Sequence, residues 1–283
     1  MFQRFSNSWS LVKASASVLS ADKELMVFPA VSAALSVLVV ITFAVPSVLA
    51  GLFDATALRD SGFPLAGYVV GFLFYVVQYF VIFFCNTALV GAALIRLRGG
   101  DPTVLDGFKV AMSRLSAILG YALIAATVGM ILRAVSERSG WVGRLVISFI
   151  GLAWQVATFL VVPVLAAENI GPMDAVKKSS EYLRKTWGEQ IIGNAGMGSV
   201  FGLISFGTVM MGMVAIFAAI TTQSAALIGI AVAGLVLALV TISLVSATLS
   251  GIYQAAVYQY AAEGKTGAFF SADMVQGAFR QKK

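Results

Sequence analysis

The chain has 283 residues, of which 59% are hydrophobic and only 11% charged, with 19 basic and 13 acidic side chains and a mean hydropathy of +0.92. Soluble domains usually carry about 25% charge, so a soluble fold of this composition would have too little polar surface to face water; the composition is that of an integral membrane protein. Histidine is absent and the one cysteine, Cys85, lies in an apolar run, which excludes a disulfide framework, zinc-type spacing and the commonest general base.

No Asp or Glu occupies the centre of an apolar span, and no GxGxxG or GxxxxGK[ST] loop occurs. The expectation is a protein that is not an enzyme, with no cofactor, no metal and no nucleic-acid partner.

Residues 1–22 read as an amphipathic helix. Phe2, Phe5, Trp9, Val12, Ala16 and Leu19 recur at spacings of three and four and share a face, with Ser6, Asn7, Ser10 and Lys13 elsewhere. Aromatic residues on one face with scattered basic ones describe a helix in the headgroup layer, where anionic lipid headgroups are the expected partners.

Five charge-free stretches follow: Leu25–Phe53, Ser61–Ile95, Leu115–Leu132, Leu145–Ala167 and Gln190–Ala262. A spanning helix needs about 20 apolar residues. The first four hold one span each, and the cluster Thr221-Thr222-Gln223-Ser224 divides the last into two. The expected spans are therefore 25–53, 66–95, 115–134, 144–167, 190–220 and 225–262. The first is too long, and its charged lead-in too extended, for a cleaved signal peptide ending at Val48-Leu49-Ala50. Of the 19 basic residues, 15 fall on the side of the termini and four (Arg59, Arg133, Arg138, Arg144) on the other, which places both termini in the cytoplasm. A bacterial cytoplasmic membrane is the expected location.

The segments between spans on the side of the termini resemble one another. Arg98-Gly99-Gly100-Asp101-Pro102 precedes Asp106-Gly107-Phe108-Lys109, Glu168-Asn169-Ile170-Gly171-Pro172 precedes Asp174-Ala175-Val176-Lys177, and Glu263-Gly264-Lys265 precedes Asp273-Met274-Val275-Gln276. Each reads as a turn and an amphipathic surface helix, over 102–114, 172–187 and 270–281. Pro102 and Pro172 suit a first helical position, and Met173, Val176, Leu183 and Trp187 form an apolar stripe. Three such segments in one topological place predict a unit of two spans plus a surface helix used three times. The expected fold is all-α: a polytopic membrane bundle of six transmembrane helices with cytoplasmic amphipathic surface helices and a threefold internal repeat, in a single domain over 1–283.

Val162-Pro163-Val164-Leu165-Ala166-Ala167-Glu168, followed by Gly171-Pro172, Ala175, Lys178-Ser179 and Trp187, resembles a signature of six-span bacterial membrane proteins. These include the membrane domain attached to some glycerophosphodiester phosphodiesterases and several uncharacterised families. The family pattern has Ala-Leu-Lys-Arg-Ser-Trp where this chain has Ala175-Val176-Lys177-Lys178-Ser179-Ser180. The resemblance implies a fold; the phosphodiesterase barrel has no counterpart in these residues, so that activity is not implied.

Polar residues inside the spans are the candidate sites. Asn86, Gln155 and Gln254 lie 12, 13 and 9 residues before Arg98, Glu168 and Glu263. At 1.5 Å rise, that is roughly 18, 20 and 14 Å from the cytoplasmic end, near the middle of a core about 30 Å thick. Interhelical hydrogen bonding is the default role; a shared central binding site is the alternative. Asn194 starts a glycine-rich span (Gly193, Gly196, Gly198, Gly202, Gly207, Gly212) whose Gly198–Gly202 GxxxG reads as a packing seam, a protomer interface or a point of flexibility. Pro163 and Pro46 are potential kinks.

Glu168 and Glu263 end their spans at one level. A carboxylate at a helix C-terminus is disfavoured by the helix dipole, so a partner is expected: Lys177, Arg96 or the N–H groups opening a neighbouring helix. Two functions follow: a membrane-organising or accessory protein that interacts with lipid and forms homo-oligomers, or a transporter or permeation protein for small molecules or lipids. An enzyme acting on lipids has the least support, with no cluster of acid, base and nucleophile.

Overall fold

A computed structural model describes residues 2–50, 65–187, 197–267, 269–271 and 275, with side chains omitted at 2–8, 187, 197 and 199. Among the described residues the chain forms helices and no strand: α1 (Phe2–Ala21), a 3-10 turn (Lys23–Met26), α2 (Val27–Leu49), α3 (Leu65–Leu97), α4 (Val104–Ser113), α5 (Leu115–Arg138), α6 (Trp141–Ala157), α7 (Val161–Ala167), α8 (Pro172–Trp187), α9 (Met197–Thr221) and α10 (Ala225–Glu263). Among these residues six units are long and apolar enough to cross a membrane: the 3-10 turn with α2, α3, α5, α6 with α7, most of α9, and α10.

Helix ends have local chemical causes. Thr103 caps α4 reciprocally: its hydroxyl accepts from the Asp106 N–H, while the Asp106 carboxylate accepts from the Thr103 N–H at 3.2 Å. Pro102 therefore precedes the cap rather than opening the helix, because Thr103 has the hydroxyl that Asp106 can answer. Pro172 does open α8. The three turns are not copies of one another. Gly99 and Gly264 take left-handed φ of 90° and 68°, whereas Glu168 ends α7 in an extended conformation at φ −116°, ψ 142°.

Packing is uneven along the bundle. Helix α3 is central, touching α2, α4, α5, α7 and α10. It is buried from Thr87 to Leu94, and α7 (Val161–Ala166) and α10 (Leu249, Ile252, Ala255, Val257) are buried beside it. This is the charged end, where Asp22, Arg96, Glu168 and Glu263 lie. Gly107 shows how tight it is: a Cβ there would sit 2.7 Å from the Ala88 carbonyl and 2.4 Å from the Phe28 ring. At the far end, Leu49, Trp141, Phe149, Phe206, Phe217 and Leu237 are exposed. A Cβ at Gly198, Gly202 or Gly207 would meet nothing within 4 Å, so among the described residues no helix packs against the GxxxG.

Two apolar stripes pack differently from the expectation. In α1 the buried residues are Leu11, Val12, Ala14, Ser15 and Val18, while Trp9 and Ala16 are exposed; the helix is apolar on two sides and docks through the one facing α10 and α9. In α8 the buried row is Ala175, Ser179 and Leu183, spaced by four, and Met173 is exposed. The segment expected to form a surface helix over 270–281 lies almost wholly outside the described residues; within it, Phe270 and Val275 are buried. The aromatic residues of α3 interlock with neighbours: Phe74 with Phe43 at 5.7 Å, Phe83 with Tyr121 at 4.5 Å, and Phe84 with Phe108 at 6.1 Å.

Candidate functional site

The fourth span is broken. Pro163 has no N–H to offer the carbonyl four residues back, at Phe159, and the helix is interrupted over Thr158–Leu160 between α6 and α7. A break in hydrocarbon must have its backbone groups satisfied by protein. Ser179, fully buried on α8, does this twice: its hydroxyl donates to the Ala157 carbonyl at 2.7 Å and accepts from the Leu160 N–H at 3.0 Å.

Just past α7, Glu168 joins three elements. Oε1 accepts from the Tyr182 hydroxyl at 2.9 Å and the Tyr258 hydroxyl at 3.0 Å, and Oε2 accepts from the Lys178 ammonium. Tyr182 and Lys178 come from α8 and Tyr258 from α10, and the two phenol rings meet edge to face at 5.9 Å. Burial pushes the Glu168 carboxyl up, but the hydrogen bonds from Lys178, Tyr182 and Tyr258 together hold it below its ordinary value. The same contacts raise Lys178, chiefly its bond to Glu168, while burial and Glu168 raise Tyr182. Tyr182 is i+4 to Lys178 and so presents on the same face of α8. The partners expected for Glu168 are engaged elsewhere: Lys177 lies 3.8 Å from Asp174, and Arg96 pairs with Asp22 and Asp101.

Two further ion pairs tie elements together at this end. Arg98, one residue beyond α3, pairs with Glu263 at the end of α10, so Glu263 ties spans two and six together. Arg96 donates from Nε and Nη2 to the Asp22 carboxylate at 3.4 Å, linking α3 to the α1–α2 junction. Burial raises the Asp22 carboxyl above its usual range against the opposing pull of Arg96. Arg114 donates to the Asn169 side chain, anchoring the turn after α7 to the start of α5.

The midplane amides fall into separate surroundings. Gln155 is exposed on α6, and Asn86 and Gln254 are half-buried on α3 and α10; among the described residues no hydrogen bond joins the three. Asn194 lies outside the described residues. Ser179, Tyr182, Tyr258 and Asp22 are polar residues that pattern reading passed over, and Gln259 is another: it is buried on α10, with Oε1 lacking a hydrogen-bond partner. A signal for Ser179 did exist in the Lys178-Ser179 pair of the motif.

Six apolar helices among the described residues, with a polar lattice at one end, define a multi-pass helical membrane protein. The chain belongs to DUF6159, a family of unknown function, whose model matches residues 65–269, from the first residue of α3 to the segment beyond α10. No curated protein matches the sequence.

Proposed function

We propose that this chain is a membrane-organising or accessory protein that works through lipid and protein contacts and has no catalytic role. Its home is a bacterial cytoplasmic membrane, with both termini in the cytoplasm, as the 15-to-4 distribution of basic residues favours. The observation that carries the reading is the filled plane where α3, α7 and α10 converge. Ala88, Leu89, Ala93, Val161, Leu165, Ile252 and Ala255 are fully buried there, so an apolar plug stands where a polar conduit would run. Both Glu168 oxygens are occupied by fixed donors, which suits a clamp better than a proton carrier or a catalytic base.

In this reading α1, α4 and α8 act as amphipathic surface helices at anionic headgroups, with exposed Trp9 and Lys13 as lipid-facing groups of α1. The unit of two spans plus a surface helix is used three times, and the open glycine face of α9 serves homo-oligomerisation. The motif likeness to the phosphodiesterase-attached membrane domain supports a shared six-span plan and no shared activity.

One observation favours a second reading, transport: the broken fourth span, since discontinuous helices form the binding sites of many transporters. Proteoliposomes separate the two. The accessory reading expects solute and lipid-flip fluxes equal to those of empty vesicles, together with enrichment of labelled anionic lipid around the protein. A saturable flux that Gln155→Ala or Asn86→Ala abolishes would establish transport instead.

A further inference from the structure

At the far end, away from the polar lattice, a cleft of about 640 Å3 opens between α2, α3 and α5. That volume lies within the usual range of ligand sites, about 300–1,000 Å3. Its walls are apolar: Val40 and Phe43 from α2, Val70 and Phe74 from α3, Met130 and Ala134 from α5. Two charged side chains border it, Arg133 and Glu137, one turn apart on α5.

Depth sets the scale of the ligand. The cleft runs along α3 from Gly67 to Tyr75 and along α5 from Met130 to Glu137. At 1.5 Å per residue each wall is about 10–12 Å long, most of one leaflet of a core about 30 Å thick. Arg133 stands just past the charge-free stretch that ends at Leu132, in the last turns of α5, where a charge is retained beside partners. Arg133 has two: Nε donates to Glu137 Oε1 at 2.8 Å and Nη1 donates to the Tyr75 hydroxyl at 2.9 Å. Among the described residues no hydrogen bond uses Arg133 Nη2 or Glu137 Oε2. A lone arginine would call for an anion. A neutral pair with a guanidinium nitrogen and a carboxylate oxygen left over calls for a dipolar headgroup above an apolar tail.

We propose that this cleft binds a zwitterionic glycerophospholipid, an acyl chain between α2, α3 and α5, its phosphate on Arg133 and its ammonium on Glu137. The site is independent of the accessory reading, which rests on the opposite end of the bundle. Gly71 offers a direct test, because it lines the cleft and a Cβ there meets nothing within 4 Å. A side chain can therefore start there without a clash at Cβ, and a leucine at that position extends into the cleft.

The experiment is native mass spectrometry of the full chain in detergent, titrated separately with phosphatidylethanolamine, phosphatidylglycerol and inorganic phosphate. Wild type should retain one phosphatidylethanolamine, about tenfold more tightly than phosphatidylglycerol, and Gly71→Leu should weaken that binding about tenfold. Arg133→Gln and Glu137→Gln should each reduce the preference about fivefold. Ala134→Phe, which fills the cleft from α5, replaces Gly71→Leu if that variant does not fold. Unchanged lipid binding in the cleft-filling variant would overturn the proposal, as would equal binding of phosphatidylglycerol. Stoichiometric binding of inorganic phosphate alone, competing with the lipid, would overturn it in favour of a simple anion site.

Discussion

Glu168 holds three helices with one carboxylate, and its charge state sets how firmly. The usual penalty for an anion at a helix C-terminus, a few tenths to about 1 kcal/mol, is offset here by an ammonium and two phenols. Because the folded carboxyl lies below its ordinary value of 4.5, its contribution to stability is fully present above that pH and is lost as pH falls through the folded value. Lys178 is raised above its ordinary 10.5, so the same pair is present below that value and weakens as pH rises through the raised one. The melting temperature in detergent of Glu168→Gln should therefore lie below wild type across the neutral range and converge with it below pH 4.5. Glu168→Ala should melt lower still, by about 5 °C against wild type. A constant gap down to strongly acidic pH would reject the ionised clamp. The carboxylate itself was legible, a charge at the edge of a long apolar run. Its phenol partners were not, because a tyrosine in an apolar span is indistinguishable by pattern from a packing aromatic.

In the fourth span, proline and serine act together across two helices. Pro163 marks where the hydrogen-bond ladder cannot continue, and Ser179 closes the gap from outside the span. Ser179→Ala leaves a buried donor and a buried acceptor unanswered and should cost about 2 kcal/mol. In the Pro163→Ala background the same change should cost less, since the restored N–H lets the two helices merge; equal costs in both backgrounds would show that the break and the serine are uncoupled. The glycines divide in the same concrete way. Gly107→Ala forces a Cβ onto the Ala88 carbonyl and should destabilise the fold, while Gly198→Ala enters open space. Gly198→Ala should leave monomer stability level or slightly raised, and a loss of oligomer on size exclusion would identify that face as a protomer contact. A GxxxG pattern says that a close approach is permitted; it does not say with which helix, and in this bundle none of the described helices takes it up.

Across the whole molecule, buried contacts concentrate at the charged end and the far halves of α6, α9 and α10 present apolar side chains outward. Those halves suit lipid tails, while the ion pairs Arg96–Asp22, Arg98–Glu263 and Lys178–Glu168 hold the opposite end. Reporter fusions at Asp101 and Gly171 should read cytoplasmic and those at Ser139 and Gln223 external; one exchanged pair would overturn the orientation. Membrane class and six long apolar helices were readable from sequence alone, because lipid requires runs of about 20 apolar residues and admits few charges into them. Which residues meet was left to the tertiary structure. Asn86, Gln155 and Gln254 share a depth along the chain, but depth carries no information on azimuth, and rotation of each helix about its axis follows side-chain packing. The same rotation buries Leu11 and Ser15 rather than Trp9 and Ala16, turns Ser179 into the break, and gathers Tyr182 and Tyr258 from positions 76 residues apart onto one carboxylate.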